Sequence, residues 1–159
     1  MKAKIAIAIG GGIAAYKIPN LVRLFVKSGC EVKVVTSKNA LNFVTETTLR
    51  TVSCNGVYSE MFSNNGQTTE HISLSDWADV FVVAPATADV IGKYANAIAD
   101  DCLTTTLLAF DKIVFVAPAM NTNAAAVSQN TFVFFFIILY SSLLYSSFTL
   151  LSGNCVHCH

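Results

Sequence analysis

The segment KIAIAI, Lys4–Ile9, runs straight into three consecutive glycines, Gly10-Gly11-Gly12, and that junction most restricts the fold. An apolar run this short, stopped by glycine, is a buried strand entering a turn. Ile13 to Ser28 then places Ile13, Leu21, Leu24 and Phe25 at helical spacing, with Lys17, Arg23 and Lys27 elsewhere on the cylinder. Gly29 stops that helix, and VKVVT, Val32–Thr36, reads as a second strand. Strand, glycine turn, helix and strand make one βαβ unit, for which right-handed parallel pairing is the rule.

The alternation continues. Ala40–Val52 is expected to be helical with Asn39 as its N-cap, and Asn55–Thr69, rich in Asn, Ser and Gly, to be a surface loop. Val80–Ala84 (VFVVA) is uniformly apolar, as a central parallel strand should be. Helices over Ala88–Ala95 and Asp101–Phe110 precede a last strand, Ile113–Ala117. There are no internal repeats. The expected fold class is α/β: a doubly wound, three-layer Rossmann-like (flavodoxin-like) domain with a parallel sheet.

Charge narrows the function classes. Ten Lys and Arg balance ten Asp and Glu, which excludes a polycationic nucleic-acid binder. An apolar content of 53% excludes a disordered chain, and 159 residues point to one domain. The opening MKAKIAIAIGGGIAA superficially resembles a signal peptide, but Ile5–Ile9 is short for a hydrophobic region and the glycines interrupt it. A buried strand explains it better. Five cysteines without framework spacing are then expected to be reduced thiols in the cytosol.

Ligands of such sheets bind at the carboxyl ends of the strands. Four segments lie there: Gly10–Ala14, Thr36–Lys38, Ala84–Val90 and Ala117–Asn123. The glycine segment lacks both GxGxxG and GxxxxGK[ST], so it is either a bare tight turn or a close backbone approach to an anionic or flat polar ligand. Thr36, Ser37 and Lys38 add hydroxyl and ammonium donors, and Thr87 adds another hydroxyl. Donor-rich strand ends around one crevice suit a phosphorylated cofactor. Taken alone, His71 could be an ordinary solvated side chain and Asn121 a turn residue.

GGIAAYK (Gly11–Lys17), HISLSDWADVFVVAPATADVIGK (His71–Lys93), AIADDCLTTTLLA (Ala97–Ala109) and APAMNTN (Ala117–Asn123) together resemble the flavin-dependent cysteine decarboxylases. Within that family the similarity is greatest to the phosphopantothenoylcysteine decarboxylases of coenzyme A biosynthesis. It runs from about Lys4 to Asn123, some three-quarters of the chain. The resemblance implies FMN as cofactor and a cytoplasmic homo-oligomer, a trimer or a dodecamer built of trimers. It implies flavin contacts from Gly11, Gly12, Ile13, Thr36, Ser37, Lys38, Thr87, Ala88, Asp89, Val90 and Ala119, with Asp89 standing where relatives commonly have Asn. It implies a small-molecule substrate, phosphopantothenoylcysteine, whose cysteinyl carbon–sulfur unit is oxidised before CO₂ leaves. His71 would be the acid/base group and Asn121 would hold the carboxylate. Peptidyl-cysteine decarboxylation, or a catalytically impaired flavin-binding partner subunit, remain as alternatives. Any ligase step of the pathway is expected elsewhere.

The similarity stops at Asn123. Ala124 and Ala125 stand where the family has a Met and an aromatic residue, and no charge occurs after Lys112. Residues 1–123 are therefore expected to be the flavoprotein domain, and residues 124–159 an anomalous segment that could still belong to it. Thr131–Leu151 is 21 uncharged residues, enough at about 1.5 Å each to span a hydrocarbon core of ~30 Å. No Lys or Arg flanks it and two serine pairs interrupt it, so the balance is against a membrane anchor. A buried replacement for the family's last elements, or translation of T-rich non-coding DNA, also fits. Cys155-Val-His-Cys158-His159 matches C-x-x-C-H, but nothing indicates export or a haem pocket, and a zinc site needs further ligands. No metal is expected.

Overall fold

The computed structural model describes residues 2–60 and 70–121. Ala124 and Ala125, the Thr131–Leu151 run and the Cys155–His159 motif lie outside the described residues. Strands β1 (Lys4–Ile9), β2 (Glu31–Thr36), β3 (Val57–Tyr58), β4 (Val80–Ala86) and β5 (Ile113–Pro118) form one sheet in the order β3-β2-β1-β4-β5, and every pairing is parallel. This is the doubly wound α/β order, with its reversal between β1 and β4.

The pleat of β1 divides the core in two. Ile5, Ile7 and Ile9 face one side, where Ile18 and Val22 of α1 (Ile18–Lys27) and Leu49 of α2 (Glu46–Ser53) pack. Ala6 and Ala8 face the other, and their small side chains leave room for Leu74 of α3 (Glu70–Trp77) and for Leu103 and Leu107 of α5 (Cys102–Ala109). Helix α4 (Ala88–Ala95) contributes Val90 and Ile91 to this second cluster. Burial on both faces is why β1 and β4 read as nearly continuous apolar runs. Across the second layer, Ser75 Oγ donates to the Ala109 carbonyl at 2.8 Å, tying α3 to α5. Lys112 Nζ donates to the Ala78 and Asp76 carbonyls at 2.7 and 3.3 Å, so the last charge in the sequence serves the carboxyl end of α3.

Several boundaries differ from expectation, each for a local reason. The segment Ile13–Lys17 is a 3-10 turn, and α1 begins at Ile18 because Pro19, with no N–H, belongs in a first helical turn. The single helix expected over Ala40–Val52 is two pieces. A 3-10 turn, Lys38–Asn42, is capped by Ser37 rather than Asn39, and α2 starts after its own cap, Thr45. The supposed surface loop after Asn55 contains β3, whose two residues pair with Val34 and Val35. Asn55 Nδ2 secures that return by donating to the Val32 carbonyl at 2.9 Å. Two residues are too few for hydrophobic periodicity to register. Asp101 is the N-cap of α5 rather than its first residue. Among the described residues no helix is long and apolar enough to cross a membrane.

Two glycines make opposite predictions about stability. Gly29 lies at φ +85, so Gly29→Ala is strained although its Cβ would meet open space, and should cost about 1 kcal/mol. Gly92 is inside α4 and its Cβ would also meet open space, so Gly92→Ala should stabilise by about 0.5–1 kcal/mol. Urea unfolding midpoints of the two variants should move in opposite directions.

Candidate functional site

Three strand ends converge where the sheet order reverses. Gly10 N–H donates to the Pro85 carbonyl at 3.0 Å, joining the end of β1 to the end of β4. A Cβ on Gly10 would lie 2.6 Å from that same carbonyl oxygen, and one on Gly11 would collide with Asn39, just beyond β2. The glycines are therefore there for backbone approach. Gly12 is extended (φ −143, ψ 161) and lies against Thr87, its Cβ position being 3.2 Å from Thr87 Cγ2. Gly12 N–H donates to the Gly10 carbonyl at 3.0 Å, so two of the three glycine amides are bonded within the protein.

The crevice beside this junction has a volume of about 750 Å³, within the range of small-molecule and cofactor sites. Gly11, Ser37, Lys38, Thr87 and Asp89 line it, so five of the expected flavin contacts are gathered around one space. Both hydroxyls also cap helical turns. Ser37 Oγ accepts from Ala40 N–H at 3.3 Å and Thr87 Oγ1 from Val90 N–H at 3.4 Å. A hydroxyl whose lone pair is taken this way keeps its proton for an acceptor ligand. Lys38 is exposed and has no carboxylate partner among the described residues.

The other expected contacts are placed differently. Thr36 is fully buried at the end of β2 and does not line the crevice; its Oγ1 has no hydrogen-bond partner among the described residues. Leaving such a group unsatisfied costs about 1–3 kcal/mol. Val90 is buried and packs in the core, whereas Ala88 is exposed, and neither lines the crevice. Ile13 stands 71% exposed beside the glycine turn, open to contact from outside the fold. Ala119 is half-buried and its N–H donates to the Ala86 carbonyl at 2.9 Å, holding the segment after β5 against the end of β4. Asn121 follows on this segment and is exposed.

His71 is the second residue of α3. The far end of α3 adjoins the start of β1, where Asp79 N–H donates to the Lys4 carbonyl at 2.9 Å. Helix rise over the intervening turns sets His71 about 10 Å back toward the carboxyl edge of the sheet, the same side as the crevice.

Seven further residues line the crevice without having been singled out: Asn39, Ser59, Glu60, Lys93, Asp100, Asp101 and Cys102. Two signals were available for some of them. Asp101 before the apolar CLTTTLLA run is an N-cap pattern, and its Oδ1 accepts from Thr104 N–H at 2.7 Å. Lys93 stands four residues after Asp89 on α4, and their charged atoms are 3.3 Å apart. Ser59 and Glu60 follow β3 and come to the crevice only because that strand forms.

Sheet order, switch-point crevice and glycine junction define a doubly wound α/β domain built to bind a ligand at its strand ends. A family model described as Flavoprotein matches residues 1–131, and the chain belongs to that family. It is 47% identical over 120 residues to the coenzyme A biosynthesis bifunctional protein CoaBC of Bacillus subtilis, covering 75% of this chain and 30% of that one. The CoaBC of Vibrio vulnificus is 44% identical over 119 residues, covering 74% and 30%. The chain thus spans about 30% of the length of the curated relatives it matches. Among solved structures, a PPC decarboxylase mutant complexed with pantothenoylaminoethenethiol superposes with a TM-score of 0.70 at 34% identity, covering 79% of this chain and 71% of the other. The FMN binding protein AtHal3 gives 0.69 at 35% identity, covering 78% and 69%.

The close approach at Gly10 has a measurable consequence. Gly10→Ala should destabilise the domain by about 1–3 kcal/mol, because the Pro85 carbonyl belongs to the backbone and has little room to yield. Urea unfolding reads this directly; an unchanged midpoint would mean the strand ends are not held together as described.

Proposed function

We propose that the chain is an FMN-dependent carboxy-lyase that converts 4′-phosphopantothenoylcysteine to 4′-phosphopantetheine in coenzyme A biosynthesis. The observation that carries this reading is the gathering of Gly11, Ser37, Lys38 and Thr87 around one switch-point crevice in a chain of the flavoprotein family. Relatives named for coenzyme A biosynthesis, and a PPC decarboxylase structure at 34% identity, support the substrate.

The crevice fits FMN by its donor set: an exposed ammonium at Lys38 and hydroxyl protons at Ser37 and Thr87. Gly12, Ile13, Ala88, Asp89, Val90 and Ala119 complete the set of flavin contacts that the family resemblance carries over. When bound, the flavin supplies a two-electron acceptor for the cysteinyl carbon–sulfur unit. The protein supplies position and proton control. The Asn121 amide donates to the substrate carboxylate and orients the bond to be broken. The His71 imidazole moves the proton at the substrate's cysteinyl end. In this reading residues 1–123 form the FMN-binding domain of a cytoplasmic homo-oligomer, a trimer or a dodecamer of trimers.

Release of CO₂ from phosphopantothenoylcysteine by the FMN-loaded chain is the test. We expect release by the native chain, and a loss of about 100-fold or more in His71→Asn with FMN still bound. Release only from peptides ending in cysteine would replace the substrate. A yellow protein that releases CO₂ from neither would be a flavin-binding partner subunit rather than an enzyme.

A further inference from the structure

The crevice poses an electrostatic problem for the cofactor assigned to it. Its lining carries two ammonium groups, Lys38 and Lys93, against four carboxylates, Glu60, Asp89, Asp100 and Asp101. FMN brings a phosphate of further negative charge. Asp101 is compensated where it stands, because its Oδ1 accepts from Thr104 N–H at 2.7 Å and from Thr104 Oγ1 at 2.8 Å at the start of α5. Asp89 and Asp100 converge on a single group instead. Lys93 Nζ lies 3.3 Å from Asp89 Oδ2 and 3.0 Å from Asp100 Oδ2.

The geometry is that of a clamp across one wall of the crevice. Asp89 belongs to the first turn of α4, and Asp100 to the loop that turns through Ala97 (φ 54) toward α5. The Lys93 side chain is 24% exposed, while those of Asp89 and Asp100 are 65% and 53% exposed. The cation is therefore the more sheltered member of the triad. Its hydrogen bond to Asp100 raises its pKa; burial opposes the rise and Asp89 reinforces it. Lys93 stays charged throughout the neutral range.

We infer that Lys93 is a positioning residue for the cofactor: its ammonium offsets one of the two negative charges of Asp89 and Asp100, lowering the repulsion that this wall of the crevice exerts on an anionic flavin nucleotide. The inference rests on the flavin-binding reading above. It assigns to Lys93 a charge role, distinct from that of a tether that merely holds α4 to the loop.

Titration of flavin fluorescence against protein separates the two roles. At low ionic strength Lys93→Met should weaken FMN binding about tenfold or more, and added salt should recover part of the loss by screening the two carboxylates. Lys93→Met combined with Asp100→Asn should return to within about threefold of native affinity, since the wall then carries the same net charge as in the native chain. Asp100→Asn alone, in a chain that keeps Lys93, should bind FMN more tightly than native. A tether predicts otherwise: the double variant would bind as weakly as Lys93→Met, and Asp100→Asn would bind no better than native. Either result overturns the inference, and the exposed Asp100 substitution answers even where Lys93→Met does not fold. If the native chain binds no FMN, the flavin-binding reading itself fails, and this assignment with it.

Discussion

The contact between the glycine turn after β1 and the ends of its two neighbouring strands governs this structure. Gly10 is bonded to Pro85 and Gly11 lies against Asn39, at separations that leave no space for a Cβ. Without that approach the ends of β1, β2 and β4 would splay, and the donors they carry would face separate patches of solvent. The arrangement needs β1 to be a central strand. Its alternation of Ile on one face and Ala on the other provides this by burying α1 and α2 against one side and α3 and α5 against the other.

Around the crevice, groups that line the proposed cofactor site also serve folding. Ser37 and Thr87 accept bonds from the backbone amides of Ala40 and Val90, satisfying helical starts, and the direction of those bonds leaves each hydroxyl proton available. Asp101 is both an N-cap and part of the crevice wall. Dual use fixes these side chains without separate supporting residues. It also brings carboxylates close to a site suited to an anionic ligand, which is why the placement of Lys93 matters.

Much of the scaffold was legible in sequence because it rests on local signals. KIAIAI followed by three glycines announces a strand and a turn, and VFVVA announces a strand buried on both faces. The family motifs named Gly11, Ser37, Lys38, Thr87 and Asp89, which the fold brings to one crevice. What escaped depends on long-range contact. The strand Val57–Tyr58 exists through its pairing with β2, and it carries Ser59 and Glu60 to the crevice. The break between Asn42 and Glu46 follows from two competing caps, Ser37 and Thr45, in a stretch whose apolar spacing alone reads as one helix. Thr36 was expected as a donor at its strand end, but the sheet buries it completely.

The central claim is that this switch-point crevice is the FMN site, and the stoichiometry and location of FMN binding test it most directly. Equilibrium titration should saturate at one FMN per chain. A Lys38→Glu variant with native circular dichroism should bind about tenfold or more weakly, because it replaces the exposed ammonium of the crevice with a carboxylate. Absence of binding by the native chain, or undiminished binding by a folded Lys38→Glu variant, would contradict the account.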